Sequence, residues 1–187
     1  MRITGGEARG RSLRAPRSRK VRPTADKVRG AIFNILEARY EIQGKRLLDL
    51  FAGSGALGLD ALSRGAEYVT FIDESREACS VIRQNLARSG LMDRAEVRRL
   101  PLPRALARLE AETPFSGAFL DPPYRQGLCQ TVLGRLGDGA LLEPWAWVVA
   151  EYAREETLLD SYGTLVRRHE RRYGSTAISI YVRMEDG

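Results

Sequence analysis

At residues 46–58 a short apolar run passes straight into Asp49-Leu50-Phe51-Ala52-Gly53-Ser54-Gly55-Ala56-Leu57-Gly58. This junction restricts the fold more than any other stretch of the chain. Glycines in the spacing G-x-G-x-x-G behind a strand predict a tight turn into a helix, the opening unit of an alternating α/β domain. The alternation continues, with apolar runs at 46–50, 68–72, 96–99, 117–120 and 145–151 and helical stretches at 56–64, 76–89, 104–110 and 126–136. Five such runs predict a mostly parallel, doubly wound, Rossmann-like sheet, with right-handed crossovers putting helices on both faces. Residues 165–172 and 177–184 alternate apolar and polar around Gly174 and Ser175, which predicts a terminal antiparallel hairpin and seven strands in all.

Ahead of this domain the chain differs in charge. Residues 1–22 hold Arg2, Arg9, Arg11, Arg14, Arg17, Arg19, Lys20 and Arg22 against the single acid Glu7, whereas the whole chain carries only +6. The basicity is therefore an N-terminal feature, the footprint of an arm that meets a polyanion, with Arg9, Arg11, Arg17, Arg19, Lys20 and Arg22 as the candidate contacts. Loose alternation around Gly5, Gly6 and Gly10 predicts a short basic β-hairpin, followed by a loop to Pro23. Thr24 then caps a helix whose apolar face is Val28, Ala31, Ile32, Ile35 and Leu36. The domain plan is thus an arm at 1–22 and one α/β domain at 23–187, a length that suits a single core.

With 43% hydrophobic and 29% charged residues the composition is that of a water-soluble chain, and no apolar run approaches the ~20 residues of a membrane helix. The arginine-rich start lacks a signal core, so a cytoplasmic, monomeric protein is expected. Cys79 and Cys129 stand far apart, without metal-site spacing, and are read as reduced thiols. No metal is expected.

The glycine loop by itself admits either a dinucleotide or S-adenosylmethionine. Asp49 favours the second, because a carboxylate beside the loop repels a pyrophosphate and attracts a cationic ammonium end. Asp73, twenty residues after Gly53, is the acceptor expected for two ribose hydroxyls in either case. The fourth run ends in Asp121-Pro122-Pro123-Tyr124. An amino group on a base is a poor nucleophile, because its lone pair is delocalised into the ring. Acceptors at its two hydrogens, the Asp121 carboxylate and the carbonyl of Pro122, would turn it toward attack on a methyl group, and Tyr124 would stack on the base. The alternatives are a rigid surface turn at Asp121–Tyr124 and, for the glycines, a turn with no ligand.

Taken together, these residues resemble the bacterial 16S ribosomal RNA guanine-N2 methyltransferases of the RsmD type, nearly end to end. The resemblance covers Met1-Arg2-Ile3 through Arg9-Gly10-Arg11, Arg22-Pro23-Thr24-Ala25-Asp26-Lys27-Val28-Arg29, Phe33-Asn34-Ile35-Leu36, Asp49-Leu50-Phe51-Ala52-Gly53-Ser54-Gly55, Ser63-Arg64-Gly65-Ala66, Asp121-Pro122-Pro123-Tyr124 and Tyr173-Gly174. The Arg-Pro-Thr segment is the most particular to that family. The resemblance implies a class I methyltransferase fold and methylation of one guanine in small-subunit rRNA, on an assembling or assembled particle. It implies that Asp49, Phe51, Gly53, Gly55 and Asp73 hold S-adenosylmethionine, and that Asp121, Pro122 and Tyr124 hold the amino group. One departure stands out: where the family usually has an acid after the third strand, this chain reads Arg99-Leu100-Pro101-Leu102-Pro103, which implies weaker cofactor affinity or a backbone acceptor for adenine. The competing readings are a DNA adenine-N6 methyltransferase, a silent RNA-binding assembly factor and a nicotinamide oxidoreductase.

Overall fold

The computed structural model describes residues 1–17, 25–109 and 114–185. The chain divides into two compact units, Met1–Leu100 and Pro101–Gly187. In the first, α1 (Ala25–Arg39) precedes β1 (Arg46–Leu50), α2 (Ala56–Ser63), β2 (Tyr68–Asp73), α3 (Arg76–Ser89) and β3 (Ala95–Arg99). β2 lies between β1 and β3 and is parallel to both, pairing Asp49 with Phe71 and Phe71 with Val97. Connections through α2 and α3 make this a repeated strand-helix-strand unit. Leu47, Leu48 and Leu50 of β1 and Phe71 and Ile72 of β2 are fully buried, the continuous apolar strand that a sheet covered on both faces requires.

The second unit contains β4 (Phe115–Leu120), α4 (Leu128–Asp138), β5 (Leu142–Ala153), β6 (Ser161–Tyr162), β7 (Leu165–Tyr173) and β8 (Thr176–Arg183). β4 and β5 are parallel. β5, β8, β7 and β6 then follow in antiparallel order. The described residues thus hold eight strands where the sequence predicts seven. The extra one, β6, is two residues long, too short to leave a periodic signal.

Two further expectations need correction. The helix predicted at 104–110 is only a single 3-10 turn at Leu106–Arg108, with Leu106 N–H bonding to the Pro103 carbonyl and Leu109 N–H to that of Leu106; Glu110 lies outside the described residues. Trp147 packs edge-on to Phe119 at 5.1 Å and against Gly117, whereas Trp145 is 55% exposed at a positive φ of 66°. The predicted N-terminal hairpin is no ladder: residues 1–17 form one antiparallel bridge, Arg2 to Ser12, with Gly10 N–H donating to Ile3 and Leu13 N–H to Met1.

What holds the arm is side-chain bonding to the helices of its own unit. Asp60 of α2 accepts from Thr4 N–H at 2.7 Å and Thr4 Oγ1 at 2.9 Å. Ser63 accepts from Ala8 N–H and donates to the Gly5 carbonyl.

Candidate active-site residues

β1 delivers Asp49 to its C-terminal end and then turns sharply. Phe51, Gly53 and Gly55 adopt φ of 59°, 58° and 76°, so every second residue of the loop is left-handed. Glycine takes that conformation freely, but Phe51 does so at a cost of roughly 1–3 kcal/mol that the surrounding fold must offset. Gly58 answers a different need. A Cβ there would lie 2.3 Å from Cε1 of Phe71, so its absence lets α2 approach β2 closely.

Asp49 is only 2% exposed, and its Oδ2 accepts the Gly58 N–H at 2.9 Å. Gly58 is the third residue of α2, and Gly55 at the helix start offers no side-chain cap. Asp49 therefore caps α2 from the neighbouring strand, an anion placed where the helix dipole is positive. This bears directly on the cofactor. A dinucleotide needs these N-terminal donors for its pyrophosphate, and a buried carboxylate already occupies one of them. A cationic ligand suits the loop and a pyrophosphate does not.

Asp73 ends β2 as the sequence predicts. Its Oδ2 accepts from Gly53 N–H and its Oδ1 from Ser75 N–H, each at 2.9 Å. The same carboxylate thus fixes the glycine loop and the entry to α3. A carboxylate has about four acceptor positions, so capacity for two ribose hydroxyls remains. The Leu100 N–H donates to the Asp73 carbonyl at 3.1 Å, so the position following β3 is tied back to β2 by backbone. The thiol of Cys79 is buried nearby and donates to the same carbonyl; burial pushes its pKa up, and the Asp73 charge adds to the shift.

In the second unit, β4 runs into Asp121-Pro122-Pro123-Tyr124. Asp121 is half-buried, Pro122 is buried and Pro123 is exposed. The Tyr124 hydroxyl donates to Glu151 Oε1 at 2.9 Å and lies 3.1 Å from Thr176 Oγ1. Burial raises the phenol well above its ordinary value, and the Glu151 carboxylate raises it further. The Tyr124 hydroxyl is thus bonded within the fold rather than left to water. Glu151 and Thr176 escaped the sequence reading: they belong to β5 and β8, with no local spacing that links them to Tyr124. Cys129 is buried beside this cluster, its thiol raised first by burial and then by Asp121.

Of the candidate polyanion contacts, Arg9, Arg11 and Arg17 are exposed. Arg11 Nη1 donates to the Arg88 carbonyl at 2.9 Å, and Arg17 N–H donates to Glu77 Oε1 at 2.8 Å. Arg19, Lys20 and Arg22, with the cap Thr24, lie outside the described residues. His169 is half-buried on β7 at a register shift. Among the described residues no cluster of three or more His, Cys, Asp or Glu side chains forms, and no helix is long and apolar enough to cross a membrane.

The family model described as conserved hypothetical protein 95 matches residues 1–182. YlbH of Bacillus subtilis strain 168, named provisionally as an rRNA methyltransferase, is 41% identical over 97% of this chain and 98% of its own. Ribosomal RNA small subunit methyltransferase D of Escherichia coli strain K12 is 36% identical over 100% of this chain and 92% of its own. A solved Escherichia coli structure, described provisionally as the methyltransferase yhhF, matches with a TM-score of 0.82 at 36% identity, covering 100% of this chain and 99% of that one.

Proposed function

This chain belongs to the conserved hypothetical protein 95 family of S-adenosylmethionine-dependent methyltransferases, and from that premise we propose that it methylates the exocyclic N2 amino group of a guanine in 16S rRNA. The observation that carries the reaction is the Asp121-Pro122-Pro123-Tyr124 segment leaving β4 with its carboxylate half-buried and its tyrosine held through the hydroxyl by Glu151 and Thr176. Full-length similarity to a protein named ribosomal RNA small subunit methyltransferase D supports rRNA as the substrate.

When bound, S-adenosylmethionine would supply an electrophilic methyl group on its sulfonium, with S-adenosylhomocysteine as the product. The chain's own residues do the rest. Asp49, Phe51, Gly53, Gly55 and Asp73 would hold the cofactor, with Asp73 accepting from the ribose hydroxyls. The Asp121 carboxylate and the Pro122 carbonyl each accept one amino hydrogen, which localises the nitrogen lone pair for attack. Asp121 then takes the proton that the methylated nitrogen releases. Tyr124 stacks on the base, and its fixed hydroxyl keeps the ring in one plane. The scheme calls on no metal, because the sulfonium is itself the electrophile.

A base inside a duplex hides its amino group, so the guanine must be looped or flipped out. On this reading the protein works as a monomer in the cytoplasm, on the small subunit or an assembly intermediate. The test is methyl transfer to unmodified 16S rRNA and small-subunit particles, with double-stranded DNA in parallel and nucleoside mass spectrometry as readout. N2-methylguanosine from the ribosomal substrate is the expected product, and it should vanish in Asp121→Ala while cofactor binding persists. N6-methyladenine in DNA, or normal turnover by Asp121→Ala, would overturn the proposal.

A further inference from the structure

We infer that an open groove between the N-terminal arm and α3 binds the phosphodiester backbone of the substrate RNA, so that the RNA contact continues from the arm onto a helix of the α/β core. The inference rests on the methyltransferase reading only for the identity of the RNA.

The groove has a volume of about 850 Å³, and its lining includes Arg14 and Arg17 of the arm with Arg76, Ser80 and Gln84 of α3. Residues some sixty positions apart in sequence thus bring three guanidinium groups to one depression. Its single acid, Glu77, uses Oε1 to accept the Arg17 N–H and so helps to hold the arm. Gln84 accepts from Arg14 Nη1 at 2.7 Å, which aims that guanidinium.

The arm tracks α3 in a regular way. Arg17 meets Glu77 in the first turn, Arg14 meets Gln84 and Asn85 further along, and Arg11 meets the carbonyl of Arg88 in the last turn. The arm therefore runs antiparallel to the helix, and the groove's lining on α3, from Arg76 to Gln84, covers roughly 12 Å at 1.5 Å per helical residue. A single phosphate cannot engage a row of that length, but a nucleic-acid strand can. Arginine's planar fork matches a phosphodiester, and an open groove admits a chain that enters and leaves. Because the arm is bolted to α2 and α3, little ordering entropy is lost when RNA binds.

The experiment measures binding of an unmodified 16S rRNA transcript as a function of salt. Each phosphate contact contributes about 0.7–0.9 to the slope of log K against log salt. The triple variant Arg14→Gln, Arg17→Gln, Arg76→Gln should lower the slope by about 2 and raise KM for RNA about tenfold at constant salt. Its S-adenosylmethionine Kd should not move. Arg76→Gln alone, which touches no arm contact, should lower the slope by about 0.7–0.9. Arg135→Gln, on α4, is the control. An unchanged slope in both groove variants would overturn the inference, as would inorganic phosphate displacing the transcript at micromolar concentration. If the slopes shift as stated but no methyl is transferred, the groove stands and the proposed function falls. If methyl transfer is normal and the slopes stay fixed, the reverse holds.

Discussion

The side chain of Asn85 grips the backbone of Arg14 on both sides, accepting its N–H on Oδ1 at 2.9 Å and donating from Nδ2 to its carbonyl at 2.9 Å. The same Nδ2 donates to the Ser54 carbonyl at 2.9 Å. One fully buried amide on α3 therefore joins the basic arm to the glycine loop. Leaving buried groups unsatisfied costs roughly 1–3 kcal/mol, so Asn85→Ala should lower urea stability by about that much and speed tryptic cleavage after Arg14. Unchanged protection of that bond would mean that Asp60 and Ser63 suffice to hold the arm.

Asp73 serves the protein backbone as well as the proposed ribose. Asp73→Ala removes the acceptors for Gly53 and Ser75, so it should both loosen the loop and weaken S-adenosylmethionine. Hydrogen bonds to a charged group contribute about 1.5–3 kcal/mol, and Kd measured by calorimetry should rise at least tenfold. Asp73→Asn keeps one acceptor oxygen and should fall between the two. A Kd within twofold of the unsubstituted chain in Asp73→Ala would remove Asp73 from the cofactor site.

The strand and helix order was legible because β1, β2, α2 and α3 carry their periodicity and capping locally. α3 spans 76–89 as its periodicity predicts, and the structure shows its caps, Ser75 accepting the Ala78 N–H and Gly90 taking the left-handed conformation. The glycine loop and the Asp121 motif were legible for the same reason, since each is a contiguous signature. Other features depend on distant partners. Asn85 and Arg14 are seventy-one residues apart, and Tyr124 and Thr176 fifty-two, so no window of sequence joins them. Basic composition marks the arm as a polyanion contact but hides its fastening, because Thr4, Ala8 and Arg14 bond mainly through backbone groups that any residue has.

Tyr124 gives a pH dependence of known sign. Its phenol is raised above the ordinary 10.0 by burial and by Glu151, so the folded state resists forming tyrosinate. Folding stability from this group is complete below pH 10 and is lost as pH climbs from there through the folded value. Tyr181, buried in the same unit, is raised in the same direction, with burial again the main cause. Tyr124→Phe should flatten the alkaline limb of stability above pH 10, measured by urea unfolding at stepped pH, and an unchanged limb would sink the argument. The same substitution keeps the stacking ring, so it should reduce kcat/KM by less than Tyr124→Ala, where the lost stacking of about 1–3 kcal/mol predicts a fall of roughly 5- to 150-fold.

Asp60 and Arg29 form the buried ion pair on which the arm depends. Arg29 Nε donates to Asp60 Oδ2 at 2.5 Å, with Arg29 4% and Asp60 0% exposed. The other Asp60 oxygen takes Thr4, while Arg29 also donates to the Arg2 carbonyl and to Asp26. Every bond ends on the arm, α1 or α2, so the pair fixes three segments at once. Removing one partner leaves a buried charge uncompensated, at a cost of about 3–5 kcal/mol. Asp60→Ala should therefore lose more stability than Asp60→Leu combined with Arg29→Met, which removes both charges and fills the space. If the single and double variants unfold at the same urea concentration, the pair is not what holds the arm, and its fastening lies with Ser63 and Asn85.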